Sequence, residues 1–527
     1  MTAVDEDRRT REQGRLWRVA LLVLAAAPAA LALWQAARGS RTHVLLDYWH
    51  VLAKITDDQG GLVPGQVASY HLEQPFLVPS LIFWLDAQVL GGSNRALTVM
   101  TVALLAGVVV LLATMLPRAL DPTLRAALTA GFSFLVFSPH ALELWAQATN
   151  GISWAPAVFL SVAALSLAHH GRTAWGYACA GLATLSFGAG LPVWFALALV
   201  VWVRRGRAWV PAAVGVAVAL LWVLTKPDGM NSGAVAGFQP ADRLSVAMAA
   251  LGGVWTAQSP DLAVLAGGVT AGVLVLLAYS ALGRRRATDA GWVGLACYAV
   301  ALAALIGAGR TTGGGNVGLV SRYAIVAALA LCAAIGLLAL SERLPRRHLV
   351  VGVLVVGAVT FSLGAPKAAD VRRSYGPLEV AAAALRVEAP AALAELRIQS
   401  GVIPAAKAMG MYPFTDFTLG CGHHELDGTV DRAHIRPLPA GNGVVDTRPA
   451  TADAVLTGWT AIDGRPADCV LVLDPLGRIV GGGVTGLHHP GLPPDLGPAG
   501  WRAVARPGVS DITVVAVAGS AYYRLES

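Results

Sequence analysis

The residues able to do chemistry are few in this chain, and most of them sit in one stretch. Residues 38–93 hold Asp47, Asp57, Asp58, Glu73 and Asp86, five of the sixteen acids in the first 365 residues. The same stretch carries His43, His50, His71, Tyr48, Trp49 and Tyr70. A carboxylate in such a place can take the proton of a hydroxyl nucleophile, and aromatic rings can stack on sugar faces. The plainer alternative is a solvated loop whose aromatics sit at a membrane interface. Asp57-Asp58 invites a metal reading, but within DDQGG the pair fits a turn better.

Two other polar segments stand out. Ser138-Pro139-His140 leads into Glu143, Trp145, Gln147 and Asn150. Residues 310–323 read RTTGGGNVGLVSRY, with glycines that permit a flexible loop and with Arg322 and Tyr323 opening an apolar run. An arginine there can hold a lipid phosphate through a fork of two hydrogen bonds. Its alternative role is an interfacial anchor.

The elements that must position these residues are membrane helices. The chain has 527 residues, 55% of them hydrophobic and 13% charged, with a mean hydropathy of +0.60. An ordinary soluble domain carries about 25% charge. These figures exclude a soluble enzyme, a disordered protein and a nucleic-acid binder. A crossing needs about 20 apolar residues. Eleven spans are expected, at 19–37, 97–116, 122–138, 152–168, 171–187, 189–205, 208–225, 261–281, 290–308, 320–341 and 348–365. The first follows a short segment, 1–18, without a clear cleavage site, and reads as an uncleaved helix. None of these spans has an Asp or Glu in its interior, which weighs against an ion-coupled carrier.

A twelfth apolar stretch, 76–92, is short and carries Asp86. The distribution of Lys and Arg decides its place. If it lies in the outer interface as an amphipathic in-plane helix, 17 basic residues face the cytoplasm and 8 face outward. If it crosses, every later loop flips and the counts become 10 and 15. The first solution puts the N-terminus in the cytoplasm, and loop 38–93 and residues 366–527 outside. The charge divides accordingly, +9 over residues 1–365 and −2 over residues 366–527.

The expected fold is therefore an α-helical polytopic membrane domain, 19–365, followed by a helical linker region, 366–424, and an extracytoplasmic β-rich domain, 425–527. The linker contains a helix-like stretch, 378–398, broken at Pro390. Apolar runs at 470–473, 479–480 and 511–517 alternate with Gly, Pro and Asp turns, as in a jelly-roll β-sandwich. Trp459 and Trp501 read as core residues ahead of sugar platforms. Cys421 and Cys469 can pair if this domain lies outside the cytoplasm, or stand as two thiols. His423-His424 and His488-His489 match no zinc spacing and read as surface residues.

The order of these features resembles the GT-C superfamily of polytopic glycosyltransferases. The resemblance rests on Asp47-Tyr48-Trp49 after the first helix and on His71-Leu72-Glu73-Gln74-Pro75 leading into the in-plane helix. It continues with Ser138-Pro139 followed by Trp145 and Asn150, and with Ser321-Arg322-Tyr323 opening a late helix. HLEQP is similar to an H-N-E-H-R pattern, with Gln74 and Pro75 standing where that pattern has His and Arg. Cell-wall arabinofuranosyltransferases share the layout of a helical membrane domain with an outer β-rich domain.

The resemblance implies transfer of a sugar, with inversion, from a polyprenyl-phosphate donor to a cell-envelope glycan or lipid acceptor on the outer face of the membrane. Asp47 would be the general base. Tyr48, Trp49, His71, Glu73, Trp145, Asn150, Arg322 and Tyr323 would bind substrates, with Arg322 at the donor phosphate. His71 and Glu73 would position the acceptor or help to hold a divalent cation, magnesium or manganese; no residue set is assigned as a metal site. The other readings are a non-enzymatic carrier or flippase-like protein, an envelope-assembly scaffold, and an outer-face polymer ligase.

Overall fold

The computed structural model describes residues 3–227, 239–310, 314–341, 343–421, 424–447, 453–492 and 496–526. The chain forms two compact units. One comprises Met1–Gly39, Ala68–Pro79 and Leu97–Ala369; the other comprises Ser40–Val67, Ser80–Ala96 and Asp370–Ser527.

The first unit is helical. In a bilayer every backbone N–H must find its acceptor inside its own segment, so long apolar stretches become helices. Among the described residues eight helical runs are long and apolar enough to cross: Glu12–Arg38, Asn94–Met115, Pro122–Ala146, Ala148–His169, Pro260–Arg284, Ala290–Gly309, Ser321–Leu340 and Arg346–Arg386, the last beginning with the apolar helix Arg346–Leu363. This is a membrane protein. On Pro260–Arg284, Leu265, Val275 and Leu276 are exposed, an apolar face suited to lipid. Eight of the eleven expected spans overlap these helices, two of them running a residue past an end.

The other three correspond to shorter helices, Thr173–Ser186, Val193–Val203 and Trp209–Thr225, of 14, 11 and 17 residues. Between the first two of these runs a 3-10 turn, Gly188–Gly190. A Cβ on Gly190 would lie 2.1 Å from the carbonyl oxygen of Ala183, so the reversal requires glycine there. A further helix, Pro240–Gly252, has no counterpart among the expected elements. It packs on Pro260–Arg284 backbone to backbone: a Cβ on Gly252 would meet Ala263 O at 2.0 Å, and one on Gly267 would meet Met248 O at 1.8 Å.

The second unit combines short helices with a sheet. Residues 40–67 and 80–96 belong to it, although the sequence pattern groups them with the membrane helices. They contribute the helix Leu46–Ile55 and the part of Leu77–Val89 from Ser80 onward. They are held by C-terminal residues. The Tyr412 N–H donates to Gly91 O at 2.8 Å, and the Arg41 guanidinium lies 4.6 Å over the Tyr412 ring. Two glycines with positive φ make room for methionines: a Cβ would meet Met409 Cγ at 2.4 Å on Gly60 and Met411 Cε at 2.5 Å on Gly92. The expected stretch 378–398 is a 3-10 turn, Gly376–Val380, followed by helices Ala381–Arg386 and Pro390–Glu395. Pro390 opens a helix, where its missing N–H costs nothing.

Among the described residues nine strands follow: β1 (Ile435–Pro437), β2 (Gly443–Thr447), β3 (Leu456–Ile462), β4 (Arg465–Pro466), β5 (Cys469–Leu473), β6 (Ile479–Leu487), β7 (Gly500–Ala505), β8 (Thr513–Ala518) and β9 (Ala521–Arg524). The expected runs at 470–473, 479–480 and 511–517 fall on β5, β6 and β8. The strands form one sheet in the order β1-β9-β8-β5-β6-β7-β3-β2, with β4 paired to β3, rather than the two facing sheets of a jelly roll. The single sheet supplies its own core by curling. Val445 from β2, Trp501 from β7, Val514 from β8 and Leu525 beyond β9 meet in one cluster, and the Val445 N–H reaches Glu526 O at 3.3 Å.

β5 is buried on both faces. Val470 and Val472 enter the curled interior, while Cys469, Leu471 and Leu473 pack on the opposite face against Leu419, Cys421 and Val430. This is the two-residue period of a strand. Trp501 is buried and Trp459 half-buried, and a Cβ on Gly458 would strike the Trp501 ring at 2.5 Å. Cys421 and Cys469 form a disulfide, with Cα atoms 5.4 Å apart, that ties the covering segment to β5. His423 lies outside the described residues.

A Cys421→Ser/Cys469→Ser variant removes a cross-link spanning 48 residues. Its loss is expected to destabilise the sheet by about 4 kcal/mol on chain-entropy grounds. Pulse proteolysis of the full chain in detergent, titrated with urea, measures this. Coincident midpoints for variant and parent would contradict it.

Candidate functional site

Asp47 lies in the first turn of helix Leu46–Ile55 and is half-buried. A helix start carries partial positive charge and favours a carboxylate. The residues beside it form its foundation. Tyr48 and Trp49 are 0% and 1% exposed, as deeply buried as Phe83 and Asp86 at 0% and His43 at 1%. The His43 and Tyr48 rings stack with centroids 3.5 Å apart, and Trp49 and Phe83 meet Tyr48 edge-on at 5.3 and 5.0 Å. The Tyr48 hydroxyl donates to Asp86 Oδ2 at 2.8 Å, and His43 Nε2 lies 3.4 Å from the same oxygen. The Trp49 indole N–H donates to His43 O at 2.9 Å. Tyr48 and Trp49, expected to offer ring faces to substrate, are core residues here.

Burial also sets the protonation of this core. It pushes the His43 imidazole below its usual range, against the partial opposition of the Asp86 carboxylate, so the ring is neutral in the fold. Burial first, and the Asp86 charge second, hold the Tyr48 phenol far above its ordinary value.

In the helical unit the expected residues Asn150 and Arg322 come together on one acid, Glu143. Its Oε1 accepts from Asn150 Nδ2 at 2.6 Å and from Arg322 Nη1 at 2.7 Å, and its Oε2 accepts from the Arg322 backbone N–H at 3.2 Å. The Glu143 N–H donates to Ser321 Oγ at 3.2 Å, and Ser321 in turn donates to His140 O at 2.6 Å. The Glu143 side chain is 4% exposed and that of Arg322 is 24% exposed. Tyr323 lies beneath the Arg322 guanidinium at 5.3 Å, packs on Trp154 at 5.3 Å, and accepts from Arg310 Nε at 3.3 Å. Trp145 is buried against Phe137. Residues 311–313 of the glycine-rich stretch lie outside the described residues.

His71 and Glu73 sit on a tight turn closed by His71 N–H to Gln74 O and Gln74 N–H to His71 O, each 3.0 Å. Leu72 takes a left-handed φ of 54° there, an uncommon conformation for a branched side chain. The turn is anchored by Gln74 Oε1 accepting from Gly188 N–H at 3.0 Å and by Glu73 O accepting from Trp222 Nε1 at 2.8 Å. Asp57 is a turn residue: its Oδ1 accepts from Gln59 and Gly61 N–H at 3.0 and 2.8 Å. Among the described residues no group of three or more His, Cys, Asp or Glu side chains is arranged to hold a metal ion.

Glu143 is the site residue that sequence reasoning missed, although its place in the run that includes Trp145 and Asn150 was a signal. No protein-family model, curated protein or solved structure matches this chain.

Removing one partner of a buried ion pair strands the other, at a cost of about 3–5 kcal/mol. Glu143→Met is expected to destabilise by about that much, and adding Arg322→Met to recover most of it, as read by thermal unfolding in a double-mutant cycle. Additive effects would argue against the pair.

His43 makes a pH prediction. An unfolded imidazole titrates near 6.5 and the folded one lower, so the unfolded chain binds the extra proton between those values. Stability contributed by His43 is complete above about pH 6.5 and falls as pH drops, by at most about 1.4 kcal/mol per unit. His43→Phe is expected to flatten that decline in urea titrations run from pH 7.5 to 5. An unchanged slope would show that His43 does not set it.

Proposed function

We propose that this membrane protein is a glycosyltransferase that moves a sugar from a polyprenyl-phosphate donor to a glycan or lipid acceptor of the cell envelope. The observation that carries the reading is the setting of Asp47. A general base must be held still and remain open to its substrate. Asp47 is a half-buried carboxylate on a helix start whose next two residues are locked into a fully buried aromatic and polar core. Its role is to take the acceptor hydroxyl proton as that oxygen attacks the anomeric carbon. The polyprenyl phosphate leaves with the bonding electrons, and the anomeric configuration inverts.

Arg322 meets the donor phosphate. Glu143 and Asn150 fix the guanidinium in place, which favours charge stabilisation without reorganisation during the reaction. His71 and Glu73, on their pinned turn, orient the acceptor. The proposed topology has the N-terminus in the cytoplasm and the sheet domain outside. Two observations support it: the 17 to 8 distribution of basic residues and the Cys421–Cys469 disulfide, a bond that persists in oxidising compartments.

Asp47→Asn is expected to lower transfer by about 100-fold or more, the usual range for a lost general base. The assay supplies radiolabelled polyprenyl-phosphate sugars to membranes containing the full chain and follows label into the envelope fraction. Unfolding of the variant at the parent's temperature shows that the fold is intact. Undiminished transfer by a folded Asp47→Asn protein would overturn the assignment.

A further inference from the structure

Several helix ends share one side of the helical unit. Asn94–Met115, Ala148–His169 and Val193–Val203 finish there, and Thr173–Ser186 and Trp209–Thr225 begin. Helix endings leave carbonyl groups without helical partners, and the sequence meets them with cations. Arg204 Nη1 donates to His169 O, and the His170 ring hydrogen-bonds to the Thr114 backbone. Arg204 also lies against the reversal after His170: a Cβ on Gly171, whose φ is 82°, would be 3.1 Å from its Nη2. Arg172 follows directly, and Arg118 comes just after the helix that carries Thr114. The charges of Arg172, Arg204 and Arg118 all reach the His170 imidazole.

Three guanidiniums so placed repel one another, and an anion among them relieves this. The protein supplies none. Among the described residues no ion pair joins Arg118, Arg172 or Arg204 to a carboxylate, and two acids of the adjoining loops are engaged elsewhere. Asp121 caps its own helix through Oδ1 at 2.9 and 3.0 Å and faces Arg346. Asp289 comes two residues before Gly291, whose N–H donates to His169 Nδ1 at 3.1 Å, and is paired with Arg284. The three arginines and His170 are exposed. Exposed indoles stand beside them. Trp175 and Trp209, each in the first turn of its helix, are 70% and 69% exposed, and Trp202 lies beneath the Arg285 guanidinium at 4.3 Å. Tryptophan gathers at the headgroup level of a bilayer. A soluble anion makes no use of such rings, whereas a lipid phosphate brings glycerol and acyl chains to lie along them.

We propose that Arg118, Arg172 and Arg204, flanked by Trp175 and Trp209, bind the phosphate headgroup of an anionic phospholipid. Arginine suits this because its planar fork matches two phosphate oxygens at once. A choline headgroup is disfavoured, since its own cation is repelled by the three guanidiniums. The site shares no residue with the proposed glycosyltransfer site and does not depend on it.

The test uses the full chain in detergent, with native mass spectrometry counting retained phospholipid. Phosphatidylglycerol, phosphatidylcholine and inorganic phosphate are the probes. The wild type is expected to retain phosphatidylglycerol about tenfold better than phosphatidylcholine, and millimolar phosphate is expected not to displace it. Arg172→Gln and Arg204→Gln each lower phosphatidylglycerol retention about fivefold, the usual worth of one arginine at an anionic headgroup. Arg15→Gln/Arg18→Gln removes charge of the same kind from the exposed start of the first helix and leaves retention unchanged. Arg204 also holds the His169 carbonyl. If its variant does not fold, Arg118→Gln and Arg172→Gln decide, together with the headgroup comparison. Equal retention of the two lipids, displacement by phosphate, indifference to Arg172→Gln, or an equal loss in Arg15→Gln/Arg18→Gln would overturn the proposal.

Discussion

A charge taken out of water must find a partner there, and this requirement governs where the helical unit keeps its few ionised groups. Glu143 shows it most fully. Both carboxylate oxygens are occupied, by Arg322 through side chain and backbone and by Asn150. These contacts join the short helix Leu142–Ala146, the long helix Ala148–His169 and the start of the run at Ser321. Asp289 repeats the solution elsewhere, fully buried and paired with Arg284 at 3.0 Å. A buried pair adds less stability than its Coulomb energy suggests, because both ions lose their hydration. What it does supply is a fixed geometry, since each helix can sit only where the carboxylate reaches its donors.

Close approach of backbones makes that geometry possible. Gly151 follows Asn150, and a Cβ there would lie 2.3 Å from Leu144 O. The helix carrying Asn150 can therefore press against the turn carrying Glu143 only because position 151 has no side chain. Gly336 plays the same part for Trp292, whose ring a Cβ would meet at 2.3 Å. Interiors packed to this density transmit small displacements. A methyl group at position 151 would press the Glu143 turn away from the helix that carries Asn150.

The sequence made some of this legible and hid the rest for physical reasons. Helices follow from apolar length, and the strands at β5, β6 and β8 follow from short apolar runs between turns. Helix Pro240–Gly252 escaped because Asp242 and Arg243 break its apolar pattern near the start. The single curled sheet escaped because curl depends on register and twist, which residue types do not declare. In the site, Arg322 and Asn150 were visible as polar residues in apolar surroundings. Their meeting at Glu143 was not, because 179 residues separate Glu143 from Arg322. Tyr48 and Trp49 were visible as aromatics, yet a sequence does not distinguish an open ring face from a buried one. Asp86 first stood out as a charge too costly for a crossing helix. Its partners, Tyr48 and His43, lie some forty residues upstream in another element.

The allegiance of the Asp47 loop has a consequence for how the proposed base comes to be fixed. Helix Leu46–Ile55 stands on the core that His43, Tyr48, Phe83 and Asp86 form within its own stretch, and that stretch is braced in turn from further along the chain. Its surroundings include Gly60 against Met409, Gly92 against Met411, and Arg41 over Tyr412, all contacts with residues more than 300 positions further along the chain. Long-range contacts of this kind carry a large loop-closure cost before they form. Asp47 is therefore expected to reach its final setting late in folding, after the C-terminal segment is complete. The helical lead-in to the sheet, around residues 409–412, then acts as scaffold for the first loop. A carboxylate held from both ends of the sequence is shielded from slippage in the loop that bears it, which a general base requires more than a binding residue does.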